Sequence, residues 1–227
     1  MAELRDANTN PWYVLMTLYG EQEGEYEDVE LGDKNRAVWN AWACQGLNDA
    51  AAADFAKFSR IDVTETRGWQ NRVANVKRQH RAEMMKRNKG EDFTYPGFPE
   101  FDDVIQFVFL QVMKPLFLRG YVFLAYADFR GTHFFNSTNF YSAIFMDEVD
   151  FSFATFLQRA DFRLASFELE ANFSSAIFER GAYFKAATFD QSADFSAVTF
   201  TQIANFRSVT FKSPAKFVKV NFGVPES

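Results

Sequence analysis

Phenylalanine returns at alternating spacings of five and six residues through the C-terminal half of the chain, without one miss. The eighteen positions are Phe129, Phe134, Phe140, Phe145, Phe151, Phe156, Phe162, Phe167, Phe173, Phe178, Phe184, Phe189, Phe195, Phe200, Phe206, Phe211, Phe217 and Phe222. A fixed short period is typical of a solenoid, in which each unit buries its apolar face against its neighbours. The pattern therefore predicts a stacked repeat architecture for this half of the chain.

A small residue, most often alanine, stands two positions before nearly every one of these phenylalanines, as in Ala160-Asp161-Phe162. Residues two apart in an extended segment point the same way, so alanine and phenylalanine share the inner face while the residue between them points outward. A helix is excluded, because at about 100° per residue steps of five and six would place successive phenylalanines on opposite sides. Short extended segments separated by turns remain.

These triplets resemble the Ala-(Asp/Asn)-(Leu/Phe)-x-x consensus of the pentapeptide-repeat family over residues 125–222. The resemblance implies a right-handed quadrilateral β-helix with four short faces per coil. Here every second repeat has one extra residue, which suggests two bulged corners per turn and a coil of 22 residues instead of 20. We therefore expect a mainly β solenoid in which Phe162 and Phe184 stack one coil apart, at roughly 4.8 Å.

Residues 96–124 continue the register backwards without the small residues. Counting back from Phe129, the chain supplies apolar side chains at Phe123, Leu118, Val112, Phe107 and Phe101. This stretch is either a degenerate first coil or an amphipathic cap over the repeats of residues 125–227.

Residues 1–95 carry no such repeat and predict a mostly α-helical N-terminal domain. Residues 12–19 form an apolar, aromatic run that suggests a strand or a short buried segment, and residues 21–33 form an acidic block. Asp33 is a candidate cap for a helix ending near Gly46, and a second short helical piece covers residues 50–58.

A longer basic helix is predicted over residues 64–89, because Asp62 and Glu65 resemble a capping box. Its basic side chains include Arg67, Arg72, Lys77, Arg78 and Arg81. Such a helix either attaches to an anionic partner, such as a membrane surface or nucleic acid, or forms a solvated face partly paired with the acidic block 21–33.

The net charge and the cysteine content limit the class of partner and the cellular compartment that the sequence predicts. The net charge of −6 and a pI of about 5.1 argue against a dedicated nucleic-acid binder. Cys44 is the single cysteine, which excludes an internal disulfide framework and fits a reducing compartment. The N-terminus lacks an apolar signal core, and charges interrupt the most apolar stretch, residues 104–126. We expect a cytoplasmic protein.

No catalytic arrangement emerges from the sequence. His80 and His133 lie far apart and neither joins a cluster with metal-ligand spacing. The many aspartates of the repeat are explained by corner turns in which their side chains accept backbone hydrogen bonds. We expect no enzyme activity, no cofactor and no small-molecule substrate.

A coil of this length would align outward side chains in columns. Arg163, Lys185 and Arg207 would stack on one face with Tyr141 above them, a basic ladder that hints at an anionic partner. Glu168 and Asp190 would stack on another face, between Met146 and Lys212. These columns are candidate interaction surfaces.

Apolar side chains occupy outward positions in the early coils, among them Phe135, Phe153 and Leu157. A cluster of exposed apolar side chains needs a cover. We expect the first 95 residues to supply it, and a partner protein is the alternative.

The last repeat presents a second candidate interface. An open β-helix end exposes unpaired backbone groups and one side of its final aromatic layer. A two-fold contact there would bury Phe217 and Phe222, so we expect a homodimer through the C-terminal coil. A monomer whose edge is blunted by Lys216, Lys219 and Pro225 is the alternative.

These observations favour a non-enzymatic protein–protein interaction module with an unidentified protein partner. Some phenylalanine-rich members of the family that the repeat resembles are dimeric DNA mimics that bind and protect DNA gyrase. Residues 125–227 hold eleven acidic and nine basic residues, a net charge of −2 that is weak for such mimicry. A third interpretation is an adaptor that binds an anionic partner through the basic helix 64–89.

Overall fold

The computed structural model describes residues 3–59, 62–90, 92–100 and 103–223. Over these ranges the chain begins with four α-helices and continues as a right-handed quadrilateral β-solenoid of about five turns. No helix within them is long and apolar enough to cross a membrane. Phe101 and the last residues, 224–227, lie outside the described residues.

Each coil adds one short strand to each of four parallel sheets, which we number faces 1 to 4 in the order the chain visits them. Face 1 comprises Ile105–Gln106, Ala127–Asp128, Val149–Asp150, Ala171–Asn172, Ala193–Asp194 and Ala215–Lys216. Face 2 comprises Arg5–Asp6, Leu110–Val112, His133–Phe134, Thr155–Phe156, Ile177–Phe178, Thr199–Phe200 and Asn221–Phe222. Face 3 comprises Leu116–Phe117, Thr138–Asn139, Ala160–Asp161, Ala182–Tyr183 and Ala204–Asn205. Face 4 comprises Val122–Phe123, Ile144–Phe145, Ser166–Phe167, Thr188–Phe189 and Thr210–Phe211. In a four-sided coil, face 1 therefore lies opposite face 3, and face 2 lies opposite face 4.

The strand register confirms a coil of 22 residues. Ala160 pairs with Ala182 on face 3, and Phe156 pairs with Phe178 on face 2. The rings of Phe162 and Phe184 stack with their centroids 5.0 Å apart and their planes at 2°. The phenylalanines thus form columns down the interior, and each ring is one coil spacing from the next.

The two kinds of spacing correspond to two kinds of corner. In a five-residue step the Ala154 N–H donates to the Phe151 carbonyl oxygen at 3.1 Å, closing a β-turn whose third residue, Phe153, has a φ of 57°. This left-handed conformation favours glycine, and two of these corners do use it, at Gly120 and Gly131. The six-residue steps bend more widely, as at residues 157–158. The extra residue of alternate repeats therefore lies in the wide corners.

The outward Asp and Asn side chains of the repeat close the chain locally, which confirms the corner role predicted for the aspartates. Asp161 Oδ1, for example, accepts the backbone N–H of Arg163 at 3.1 Å. The same bond to the N–H two residues on is made by Asp128, Asn139, Asp150, Asn172, Asp194 and Asn205. The position between alanine and phenylalanine thus satisfies a backbone donor that no strand pairs.

The N-terminal part contains helices α1 (Pro11–Met16), α2 (Val29–Ala43), α3 (Asp49–Ser59) and α4 (Trp69–Arg87). Short 3₁₀ segments cover Ala7–Thr9, Cys44–Gly46 and Val63–Thr66. Part of the aromatic run 12–19 is therefore helical. Of the two alternatives, a strand or a short buried segment, the structure forms the buried segment, since residues 12–16 are buried.

The start of α2 also differs from the prediction. Asp28, not Asp33, caps the helix, since its Oδ1 accepts the Leu31 N–H at 3.1 Å. Residues 29–33 of the acidic block are helical, and ion pairs with residues one turn later stabilise them there. Glu30 pairs with Lys34 at 2.6 Å, and Asp33 pairs with Arg36 at 2.8 Å.

The predicted helix 64–89 is shorter, and the capping box does not form. Asp62 accepts the Thr64 N–H at 2.8 Å but opens only the 3₁₀ turn, and Glu65 is drawn to Arg36 instead. Gly68, with a φ of 74°, breaks the chain before α4 begins at Trp69. Arg67 therefore lies outside the basic helix, where its guanidinium donates to the Asp49 carbonyl oxygen at 2.8 Å.

The helical part covers the first end of the solenoid. Trp39 lies 5.5 Å from Phe123, ring centroid to ring centroid, and its indole N–H donates to the Val122 carbonyl oxygen at 2.7 Å. Asn40 Oδ1 accepts the Val122 N–H at 3.0 Å. Arg5–Asp6 adds a parallel strand beside Leu110. Backbone groups of the first coil thus find partners, which closes sheet edges that would otherwise be open.

Candidate interaction surfaces

The interior of the solenoid is filled by its own side chains. Every repeat phenylalanine from 129 to 200 is buried, and alanines from the same strands fill the space between the rings. Recognition of another molecule therefore depends on the outer faces and on the ends of the rod.

A basic column runs down face 3, as the register predicted. The Ser142 N–H donates to the Arg163 carbonyl oxygen at 3.0 Å, and the Leu164 N–H donates to that of Lys185 at 3.1 Å, so successive coils hold these residues in line. Arg207 follows by the same pairing, through the N–H of Ala186. The structure thus brings together the four side chains that the sequence predicted for this column.

Tyr141 lies between two guanidinium groups. The guanidinium carbon of Arg163 is 5.5 Å from the centre of its ring, and that of Arg119 is 5.9 Å away. Sequence reasoning missed Arg119, although stepping one coil back from Tyr141 leads to it. The column therefore begins one coil earlier than predicted.

A buried carboxylate organises the middle of this face. Asp161 is almost completely buried and accepts from Arg163 at 2.7 Å and from Arg159 at 2.8 Å. The hydrogen bond that the Arg163 side chain donates to Asp161 raises the pKa of Arg163. Arg159 also lies over Tyr183, with 4.6 Å between the guanidinium carbon and the ring centre. On face 3, arginine side chains therefore pack against the tyrosine rings of Tyr141 and Tyr183.

Two clefts flank this column. A cleft of about 540 Å³ separates it from the N-terminal helices, and Arg36, Glu65, Tyr141 and Leu164 are among its walls. A smaller cleft of about 230 Å³ lies between face 3 and the acidic segment around Tyr26.

The acidic block does not pair with the basic helix. Among the ion pairs of the described residues, Glu23 contacts Lys114 at 2.8 Å, whereas α4 pairs internally through Glu83. Of the two alternatives for the basic helix, the one in which it pairs partly with the acidic block is therefore not formed among the described residues, because the segment before α2 is directed towards face 3. Among the remaining predicted side chains of α4, Lys77 lies over the Phe98 ring, Arg81 lies over the Tyr95 ring, and Arg78 donates to Asn75. Arg72 is half-buried.

The apolar patch of the early coils stays largely uncovered by the described residues. Phe153 is 64% exposed, while Phe135 and Leu157 are half-buried. The prediction that the first 95 residues cover Phe153 was wrong, because the N-terminal part packs on the first coil and beside faces 3 and 4, away from the corner of Phe153. Met113, 52% exposed, and Phe109 extend the patch along face 2.

The C-terminal coil presents the predicted dimer side chains to the outside. Phe222 is 61% exposed and Phe217 is 44% exposed in the described chain. Phe217 stacks on Phe195 at 5.0 Å through one side of its ring.

The two histidines and the second charge column lie elsewhere. His80 is buried between α1 and Tyr95, and burial lowers its pKa. His133 lies half-buried on face 2, and no group of three His, Cys, Asp or Glu residues in the described ranges is placed to hold a metal ion. On face 4, Lys212 pairs with Asp190 at 2.7 Å, one coil apart as the register predicted.

Comparison with known proteins gives one family. A family model described as pentapeptide repeats (9 copies) matches residues 140–188 and 162–209. No curated protein and no solved structure matches the chain significantly.

Proposed function

We propose that this chain, whose residues 140–209 match the family model of pentapeptide repeats, is a non-enzymatic scaffold that binds a protein partner through the sides of its rod. The observation that carries this proposal is the apolar patch on face 2, formed by Phe109, Met113, Phe135, Phe153 and Leu157.

The patch is suited to binding because its side chains are held outward by the fold. Phe153 occupies a corner whose backbone is fixed by the bond between Ala154 and Phe151, so its ring has no route into the filled interior. A group of exposed apolar side chains held on a rigid sheet typically marks an interaction site. Little ordering entropy is lost on binding, since the solenoid is already rigid.

A photo-crosslinking experiment tests this proposal. A photoreactive amino acid replaces Ser175, which lies one coil after Phe153 at the same corner, and the intact chain is irradiated in its native cells. We expect one discrete adduct with another protein, lost when Phe153→Asp is added. The matched control places the same group at Thr210 on the opposite face. No adduct at 175, or equal adducts at both positions, would contradict the proposal.

The DNA-mimic alternative, binding to DNA gyrase, depends on an acidic surface. Face 1 supplies stacked carboxylates, including Asp128, Asp150 and Asp194. Arg130 contacts Asp128 at 2.6 Å and Lys216 lies 3.6 Å from Asp194, so the charge of this face is partly neutralised. We therefore rank gyrase binding second, and gyrase subunits in the adduct would promote it.

An adaptor role for the basic helix ranks third. Lys77, Arg78 and Arg81 are exposed on α4. These charges lie on a single helix, whereas the basic column of the solenoid repeats over successive coils. Recovery of lipid or nucleic acid with the intact chain, abolished by charge reversal on α4, would favour this role. A homodimer through the C-terminal coil is compatible with each of these functions.

A further inference from the structure

We propose that face 3 is a docking surface for an acidic, extended peptide segment of the partner protein. This inference rests on the proposed scaffold function and deepens it by assigning a second surface, which borders the apolar patch along the corner of Phe135 and Leu157.

The fold separates charge between two opposite faces. The segments that form face 3 hold seven basic residues and one acidic residue: 114–119, 136–141, 158–163, 180–185 and 202–207. The corresponding segments of face 1 hold seven acidic residues and two basic ones: 103–108, 125–130, 147–152, 169–174, 191–196 and 213–218. The formal charges are +6 and −5, so the rod is strongly polarised across its width although its net charge is small.

The cations of face 3 are available for a ligand. Arg119, Arg180, Lys185 and Arg207 are exposed, and none of them takes part in an ion pair between described residues. Asp161 is the single carboxylate of the face and is already shared by Arg159 and Arg163. Like charges held one coil apart repel each other, and an anionic ligand would relieve that repulsion.

The chain itself shows which kind of anion fits. The segment before α2 carries Glu23, Glu25 and Glu27, and it lies against the first coils of this face. Glu23 contacts Lys114 at 2.8 Å, and the segment forms one wall of the small cleft whose other wall includes Arg159 and Arg163. An acidic segment of the chain itself therefore already lies beside the first coils of face 3. The coils that carry Lys185 and Arg207 extend the same surface beyond it.

The long-range field favours a short acidic peptide over nucleic acid. The whole chain carries a net charge of −6, and face 1 would repel a long polyanion that reached around the rod. A peptide a few residues long contacts face 3 alone. Its carboxylates can pair with arginine while its apolar side chains contact Tyr141 and Tyr183.

The test is direct binding measured by fluorescence anisotropy with the full chain. The probe is a labelled ten-residue peptide with the chain's own sequence from Glu21 to Glu30, and a second probe is a single-stranded DNA ten-mer. The variant is Lys185→Glu with Arg207→Glu, two exposed residues in no intramolecular ion pair between described residues. The matched control, Lys77→Glu with Arg78→Glu on α4, changes the net charge equally.

We expect the peptide to bind, and the face 3 variant to weaken it by about tenfold or more while the α4 variant does not. Binding should weaken in about 0.5 M salt, because the screening length falls to a few ångströms. Stronger binding of the DNA, absence of peptide binding, or equal loss in both variants would overturn the inference. If the crosslink at position 175 still forms in those cases, the scaffold function stands and only this assignment fails.

Discussion

Truncating one ring in the middle of the solenoid should destabilise the protein far more than truncating a ring at its end. Phe162 is fully buried, with Phe140 and Phe184 stacked on its two sides at 4.9 and 5.0 Å. Phe151 and Phe173 meet it edge-on, at 5.4 and 5.5 Å. Phe156 and Phe167 lie slightly farther away, at 5.9 and 6.4 Å, so six phenylalanine rings surround it.

The cavity left by Phe162→Ala has little freedom to close. The Phe162 N–H donates to the Tyr183 carbonyl oxygen, and the Phe140 N–H donates to the Asp161 carbonyl oxygen, both at 2.7 Å, which fixes the coil spacing. Phe-to-Ala substitutions in cores cost about 3–5 kcal/mol, and the cost grows when the site cannot relax. We expect a loss of about 4–5 kcal/mol in the free energy of unfolding, and about 1–2 kcal/mol for Phe162→Leu, which keeps most of the volume.

The matched control is Phe222→Ala, whose ring is 61% exposed and stacks on Phe200 through one side, at 5.6 Å. At a protein concentration at which the chain is monomeric, the loss in the free energy of unfolding should be below about 1 kcal/mol, since little apolar area is removed from contact within the chain.

Guanidinium-induced unfolding followed by circular dichroism and by tryptophan fluorescence measures both effects. All four tryptophans lie in the N-terminal helical part, so fluorescence reports whether the cap unfolds together with the solenoid. If Phe162→Ala and Phe222→Ala cost the same within about 1 kcal/mol, the argument from coil stacking is wrong.

Three further predictions concern a corner, a buried histidine and the C-terminal end. Ala197→Gly should raise the free energy of unfolding by about 0.5–1 kcal/mol because Ala197 has a φ of 56°, whereas Ala193→Gly, in a strand, should lower it. If chemical denaturation shows that both substitutions change this free energy in the same direction, the corner argument is refuted. Burial, aided by Arg87, lowers the pKa of His80, so the unfolded chain takes up a proton at a higher pH than the folded chain does, and the free energy of unfolding should fall as pH drops below about 6.5 towards the folded-state pKa. His80→Gln should flatten the plot of the free energy of unfolding against pH between pH 7.5 and 5, and an unchanged plot would contradict this. Phe222→Asp should weaken the homodimer in analytical ultracentrifugation, and a single species near 26.2 kDa for the unaltered chain at micromolar concentration would remove the dimer.

The solenoid could be predicted because its information is local and repeated. Alanine and phenylalanine two positions apart predict a shared inner face at each strand, and every copy, such as Ala160 and Phe162, makes the same prediction. The alternating spacing of five and six residues then predicts a coil of 22 residues, and this coil length places Lys212 beside Asp190, where the structure shows their ion pair. Errors in single repeats are averaged away in such a pattern.

The N-terminal part could be predicted only coarsely, because its details depend on contacts distant in sequence. Glu65 forms no capping box because Arg36, far away in the chain, binds it at 2.8 Å. Trp39 and Asn40 bond to the backbone of Val122, and nothing in their local pattern indicates so distant a partner. The direction of the acidic segment towards Lys114 was missed for the same reason.

Net charge is a poor guide to binding for a solenoid, because register and not composition decides which charges are neighbours. Residues 125–227 hold eleven acidic and nine basic residues, which as a sum suggests a surface of mixed charge. The coil register separates them instead, so that Arg163, Lys185 and Arg207 line one face while Asp128, Asp150 and Asp194 line the face opposite. A substitution that moved one arginine by half a coil would leave the composition unchanged and would transfer its charge to the other side of the rod. For this chain, therefore, the unit in which charge determines a partner is the column of side chains that follow one another at intervals of one coil.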